Sequence, residues 1–579
     1  MSVSRDQNTR MLTALVRLRG ALQAARLPLE LPGVDELRSS RQQMIDQLED
    51  YAIPRQMSVD APLLVVVGGS TGAGKSTLVN SLVGARVTAP GMLRPTTRSP
   101  VLVHHPDEAQ WFGQDRLLPD LVRVDHSTDD PHALQLVPSE HVPAGLAILD
   151  APDVDSVEQH NREIAAQLLA SADLWLFVTS AARYSDQVPW EHLRQAAERS
   201  TAVAVVLDRT AADAVPTVSA HLARMLASRG LKDSPLFTVQ EADVSEGGLL
   251  APELVADIRG WLVSLAADPD ARQLVVRQTL DGSVRTLARR SHAVADAVTE
   301  QLAAAAALQE AAASSYDEAT RQLVERAGDG TLLTGEVLAR WQDLIGTGEL
   351  LRGLDQRVGR LRDRLVNRVK GTPQAADRVA LAIEAGAESL VLDQAEAAAE
   401  HTVAAWSALA GGAALLADHE PLGRATPEVR RRAEAEVRAW QQEVVELVRA
   451  AVAEWRMNAD LLAYGPQGLA VSLMVQVLTR TAADAAAAHP GRTLLEAVLG
   501  KEAVDDLVER AGSSLDRRLD GLLDDDRRRF GAVLSELALD DDAAEHLRAA
   551  SRRVDDRRFE QARGATDEAD EADEAGPDA

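Results

Sequence analysis

Leu63-Leu64-Val65-Val66-Val67-Gly68-Gly69-Ser70-Thr71-Gly72-Ala73-Gly74-Lys75-Ser76-Thr77 is an apolar run of strand length that enters a loop of pattern GxxxxGK[ST]. Gly69 and Gly74 are the fixed glycines, and the apolar helical stretch Leu78-Val79-Asn80-Ser81-Leu82-Val83 follows. Glycines let such a loop curl until several N–H groups converge on one phosphate, beside the positive end of the following helix. Lys75 adds a flexible point charge for the β- and γ-phosphates, and Ser76 offers a hydroxyl to Mg²⁺. An arginine fork is bulkier and a poor substitute there. The chain carries 61 Lys+Arg, yet only Lys75, Lys232, Lys370 and Lys501 are lysines. One of the four stands where lysine is required. Gly69, Ser70, Thr71, Gly72, Ala73, Gly74, Lys75, Ser76 and Thr77 are the candidate nucleotide-binding residues, with Lys75 and Thr71 as catalytic candidates and Ser76 as a metal ligand.

Outward from this loop, apolar runs recur at Pro100–Val103, Leu146–Leu149, Leu174–Val178 and Ala202–Leu207, separated by amphipathic stretches up to about Ala266. Strand-length runs alternating with helix-length segments predict a mainly parallel sheet with helices on both faces over residues 61–266. Arg5 to Tyr51 has helical periodicity, broken at Leu31-Pro32-Gly33 and closed by Pro54, so residues 1–60 are expected to be helices. Residues 267–560 read as a large elongated all-α bundle. Val276, Leu280, Val284, Leu287, Val294, Val298 and Leu302 recur at spacings of three and four, with one turn skipped at Ser291. Val437, Trp440, Val444, Val448, Val452 and Trp455 repeat the pattern after Thr426-Pro427-Glu428, a capping residue with proline at the first helical position. The acidic, aperiodic residues 561–579 read as a disordered tail.

With 579 residues the chain holds about three or four structural units. Aromatics are 3%, so the core is built from Ala, Leu and Val, which suits close-packed helices. The absence of cysteine excludes disulfides, a thiolate nucleophile and Cys-ligated metal. A formal net charge of −28 argues against duplex DNA and against RNA as the main partner. Met1 to Arg10 is polar and lacks the apolar stretch of a signal peptide after it. Val403 to Ala417, the most apolar run, is about 15 residues against the about 20 of a spanning helix. The expected location is the cytoplasm, or the inner face of the cell membrane as a peripheral protein.

Further motifs narrow the class. Pro95-Thr96-Thr97-Arg98-Ser99-Pro100-Val101 puts threonines just before a strand, and its Thr-Arg-x-Pro order resembles switch I of the dynamin superfamily. The resemblance implies that Thr97, or Thr96 in its place, closes over the γ-phosphate and completes a Mg²⁺ shell. Leu146-Ala147-Ile148-Leu149-Asp150-Ala151-Pro152-Asp153 resembles the DxPG motif of P-loop GTPases. It implies that Asp150 holds Mg²⁺ through water. Asp153 replaces the glycine whose N–H meets the γ-phosphate, and its carboxylate would repel phosphate unless turned away. Val154 stands where small GTPases carry a water-positioning glutamine. Asp208-Arg209-Thr210-Ala211 occupies the place of [NT]KxD, so Asp208 and Arg209 are base-site candidates, with Asp213 able to replace the aspartate missing at Ala211. GTP is favoured over ATP by family rather than by this loop.

Together the motifs over 63–213, set between N-terminal helices and a long helical half, resemble a bacterial dynamin-like GTPase of the Ala/Arg-rich kind found in actinobacteria. That resemblance implies N-terminal helices packed with a stalk, self-association through GTPase domains, and work on membranes. An Era-like ribosome- or RNA-associated GTPase, sharing the GKSTLxNxLxG run, and a nucleotide-gated scaffold with little turnover remain alternatives. Arg352 to Lys370 carries seven cations against Asp355 and Asp363, so an anionic membrane is a candidate partner there, beside the plainer reading of a bundle helix. His104-His105 lacks a carboxylate at ligand spacing and reads as a strand end. Arg183-Tyr184 and Asn161-Arg162 read as surface or packing residues that could reach the nucleotide. Arg430-Arg431-Arg432 reads as a solvated face.

Overall fold

The computed structural model describes residues 2–58, 60–88, 99–345, 372–454, 465–483 and 486–574, apart from 115, 117, 129, 131, 157, 158, 199, 200 and 420. Thr96, Thr97, Trp455 and the basic segment 352–370 lie outside the described residues. The chain forms two compact units. One comprises Met1–Leu27, Gly33–Thr299 and Asp540–Ala579, the other Pro28–Pro32 and Glu300–Leu539.

The first unit begins with helices α1 (Ser2–Ala24), α2 (Val34–Gln47) and α3 (Ile53–Met57). Its sheet contains β1 (Leu63–Gly69), β2 (Val101–His104), β3 (Val122–Val124), β4 (Ala133–Pro138), β5 (Leu146–Asp150), β6 (Leu174–Ser180), β7 (Ala202–Thr210) and β8 (Leu236–Gln240). Interleaved are α4 (Lys75–Val83), α5 (Gln159–Ala170), α6 (Gln187–Glu198), α7 (Val215–Ser228) and α8 (Ala256–Ala267), followed by the 60-residue α9 (Pro269–Gly328). The strand order is β3-β4-β2-β5-β1-β6-β7-β8, parallel except between β2 and β5. β1 lies between β5 and β6 and is buried along its whole length, as a Leu/Val run covered on both faces should be. Leu63, Val65 and Val67 share a core with Leu78 and Leu82 of α4 and Ile258 and Leu262 of α8. On the opposite face Gly68 lies against Trp175 of β6 and Leu169 of α5. The five expected strands are β1, β2, β5, β6 and β7. The short β3 and β4 and the edge strand β8 were not legible as apolar runs.

A buried aspartate ties the helices to this sheet. Asp173, just before β6, accepts from Tyr51 Oη at 3.1 Å and from the Leu64 N–H of β1 at 2.8 Å, and pairs with Arg55 Nη2 at 2.9 Å. Its own carbonyl accepts from Thr279 Oγ1 of α9 at 3.0 Å. A fully buried carboxylate is tolerated only with such partners. The helix Ala543–Glu574 packs along α1, and it meets α9 where Ser291 Oγ lies 3.0 Å from Ser551 Oγ. This explains the skipped turn in the apolar stripe: small hydroxyls let two helices approach. Arg558 and Arg548 of the same helix pair with Asp281 and Asp296 of α9.

Two expectations on organisation differ from these observations. The N-terminal helices, the last helix and the first half of α9 share the sheet's unit, so the division falls at 299/300 inside α9 rather than at 266. Periodicity marks a helix but not its partners, which here depend on Tyr51, Arg55 and Asp173. The last helix also continues through 564–574, where a disordered tail is expected from composition; Ala and Glu are strong helix formers and extend an existing helix at little cost.

The second unit is helical. Trp341, Trp406 and Trp440 are buried, and each indole N–H donates to a backbone carbonyl, of Ala487, Leu308 and Ala511 at 2.9, 2.8 and 2.9 Å. Val437, Trp440, Val444 and Val448 are buried on one face of the helix Pro427–Glu454, which starts at the expected proline. The apolar run 403–417 is a helix end at Ala408 and a second helix Gly412–Asp418, joined at the left-handed Gly411. Among the described residues no helix is long and apolar enough to cross a membrane.

Candidate nucleotide site

β1 ends at Gly69 and α4 begins at Lys75, so the loop between them is held at the C-terminal edge of the sheet. That edge is where open α/β sheets bind ligands. Two of its glycines are required by geometry. Gly69 has φ 150°, and a Cβ there would stand 1.9 Å from the Val178 carbonyl oxygen. Gly74 has φ 98°, and its Cβ would stand 2.1 Å from Asp208 Oδ2. Lys75 is buried, with Nζ donating to the carbonyls of Gly69 at 3.1 Å and Ser70 at 3.2 Å and pairing with Asp153. Ser70 and Ala73 are fully buried; Thr71, Gly72, Ser76 and Thr77 line the loop and first turn with partial exposure, and the left-handed φ of 74° at Gly72 turns the chain.

Asp150 closes β5 beside β1, in register with Val67. It is fully buried, and both carboxylate oxygens complete no hydrogen bond. Burial pushes its pKa from 3.8 to about 6, opposed by the nearby hydroxyls of Ser76 and Thr88 and the charge of Lys75. Unsatisfied buried oxygens beside a serine hydroxyl at a phosphate loop fit a hard divalent cation. Mg²⁺ is held at such sites by one or two protein groups, water and substrate phosphates rather than by an all-protein cage. No cluster of three or more acidic, His or Cys groups suited to a metal occurs among the described residues.

The raised pKa has a testable consequence. Between about pH 4 and about pH 6 the folded chain holds the Asp150 proton more tightly than the unfolded chain does. Stability contributed by this group therefore falls as pH rises through that window and stays lower above it. Asp150→Asn removes the titration, so its melting temperature should gain on wild type as pH rises from about 4 to about 7 without nucleotide. A constant difference across that range would contradict the assignment.

Near the end of β7, Asp208 is buried and Arg209 exposed. Burial raises the pKa of Asp208 to about 6, opposed by the Arg209 N–H and guanidinium. The N–H of Arg209 donates to Asp208 Oδ1 at 2.7 Å, and Arg209 itself has φ 50°, a left-handed conformation at the irregularity between Leu207 and Thr210 in the pairing with β8. Asp208 and Arg209 are thus brought against Gly74. Asp213 stands on an exposed turn before α7.

The segment leaving β5 carries a feature beyond the expected residues. Asp155 Oδ1 accepts both the N–H and the hydroxyl of Thr71 at 2.6 Å, while its Oδ2 meets Arg183 Nη1 at 2.6 Å. The signal lay in the alternation Asp153-Val154-Asp155 after a buried strand, with Val154 fully buried between two carboxylates. Arg162 Nη1 and Asn161 Nδ2 brace this segment at Ser156, at 2.7 and 3.5 Å. Tyr184 is a packing residue, its hydroxyl 2.9 Å from His221 Nδ1. His104 is buried at the end of β2, its ring beside Phe112.

Residues 64–209 match the 50S ribosome-binding GTPase family. Loop, sheet and match together make this segment a P-loop GTPase domain. No curated protein matches the chain. Among solved structures, Era of Aquifex aeolicus bound to GDP and aluminium fluoride is 19% identical with a TM-score of 0.24, over 34% of this chain and 56% of that one. The chain thus spans little more than half the length of Era. A structure from an oligomerised bacterial dynamin pair that senses and tethers membranes is 8% identical, with a TM-score of 0.37 over 90% of this chain and 95% of that one. LeoA, a bacterial dynamin GTPase from ETEC, is 14% identical with a TM-score of 0.23, over 97% and 98%.

Proposed function

We propose that the chain is a Mg²⁺-dependent, dynamin-like GTPase that cleaves GTP to GDP and phosphate and couples nucleotide state to its long helices, in the service of membrane remodelling or tethering. The observation that carries the proposal is the buried Lys75 at the head of α4 beside the unsatisfied oxygens of Asp150. Transfer to water needs positioning and charge stabilisation rather than a covalent nucleophile. Lys75 would stabilise charge between the β- and γ-phosphates, and the loop amides, that of Thr71 included, would orient them. Ser76, Asp150 and Thr97 would hold Mg²⁺, which when bound neutralises phosphate charge. Arg209 and Asp208 would face the base, with Asp213 reaching it only through movement of its exposed turn. Coupling to the helices is supported by Asp173, which bonds β1, the N-terminal helices and α9 at once.

For location we propose the cytoplasm, with peripheral contact to the inner face of the membrane through residues 352–370 and self-association through the GTPase domain. The basic segment should bind anionic bilayers, each cation contributing about 1 kcal/mol near the surface. Co-sedimentation with anionic and neutral vesicles tests this. Wild type should pellet only with anionic vesicles, less so in high salt, and Arg357/Arg360/Arg364→Glu should stay in the supernatant. Binding indifferent to lipid charge, or surviving the reversal, contradicts the membrane part of the proposal. A second reading follows from the description of the matched family: ribosome association, which sedimentation with 50S subunits would reveal as nucleotide-dependent co-migration.

A further inference from the structure

Two carboxylates enter the phosphate loop from one short segment. Asp153 pairs with the Lys75 ammonium, and Asp155 occupies the N–H and hydroxyl of Thr71. Their side chains are only 12% and 13% exposed, so these contacts are weakly screened by water. Lys75 and the loop amides are also the donors that a nucleotide's terminal phosphates require. We propose that Asp153 and Asp155 act as an internal anion competing with the terminal phosphate, so that the site favours a nucleoside diphosphate over the triphosphate until the segment 151–156 withdraws. The inference rests on the nucleotide-site proposal and specifies its preference for phosphate number.

Charge and connectivity both support it. A triphosphate brings one more anionic phosphoryl group into a region that already holds Asp150, Asp153 and Asp155 against Lys75 and Arg183. The two competing carboxylates flank Val154, which is buried and whose N–H reaches the Gly69 carbonyl at 3.4 Å. They are delivered together and should leave together. Withdrawal gives up the Lys75 pair and both Thr71 hydrogen bonds, and it also moves the carboxylate that Arg183 holds on the loop after β6. Triphosphate entry and movement of that loop are therefore linked, and the linkage is reciprocal.

The test is calorimetric titration of the full chain with GDP and with a non-hydrolysable GTP analogue, both with Mg²⁺. Wild type should prefer GDP. In Asp153→Asn/Asp155→Asn the affinity ratio should move towards the analogue by about tenfold or more, with each single variant between. Should the double variant fail to fold, the singles and Asp153→Ser carry the comparison, with thermal melts as the control. An analogue bound as tightly as GDP by wild type, or a ratio unmoved in folded variants, overturns the inference alone. Binding of neither nucleotide by wild type overturns the site proposal and this inference with it.

Discussion

Lys75→Ala should abolish measurable nucleotide binding, with affinity falling at least about 100-fold, or about 2.7 kcal/mol, while the fold persists. The ammonium is held at the head of α4 by the Gly69 and Ser70 carbonyls and by Asp153, where the proposed site would place phosphate oxygens. Alanine is the best helix former and leaves α4 intact. Asp153 loses its partner but keeps some access to water. Lys75→Arg should do little better, because a planar fork cannot reproduce a point charge in a loop whose neighbouring glycines are already in close contact. Titration with GTP, GDP and ATP, paired with thermal melts, checks the result. Wild-type affinity in a folded Lys75→Ala protein would remove the loop from the site.

Asp150→Asn should lower GTP turnover by about 100-fold at saturating substrate, again about 2.7 kcal/mol, now of transition-state stabilisation. The carboxamide keeps the shape of the carboxylate but not the charge. Within the fold itself that charge is unfavourable, buried with no hydrogen bond to either oxygen. The same substitution should therefore raise stability near neutral pH and destroy turnover. Such opposition is expected where a site is built for a ligand rather than for the empty fold. Turnover within about threefold of wild type would show that Asp150 does not organise the metal.

Sequence periodicity revealed the parts of this fold that are buried on both faces. β1, β5, β6 and β7 are continuous apolar runs, and such runs are what a covered parallel sheet requires. β3 and β8 lie at the edges of the sheet, and β3, with its half-exposed Val-Arg-Val, carries no comparable run. The phosphate loop was legible because its chemistry is local: the eight residues Gly69 to Ser76 in order fix glycine geometry, the lysine and the serine. Asp155 and Asp173 were not, because each acts on residues 84 and 109 positions away, Thr71 and Leu64. Asp153 was legible as a departure from a motif but not in its direction. Charge alone says that it repels phosphate; the fold shows that it has taken the lysine instead. Ser291 was visible as a gap in the apolar stripe of α9, and its meaning needed Ser551, 260 residues further on.

The proposed activity of this loop is Mg²⁺-dependent binding and cleavage of GTP. Phosphate release by the purified full chain, followed with GTP and with ATP, each with Mg²⁺ and with a chelator, tests it most directly. Release from GTP should require Mg²⁺, exceed release from ATP, and vanish in Lys75→Ala. Equal release from both nucleotides, release that survives the chelator, or release that persists in Lys75→Ala would contradict it.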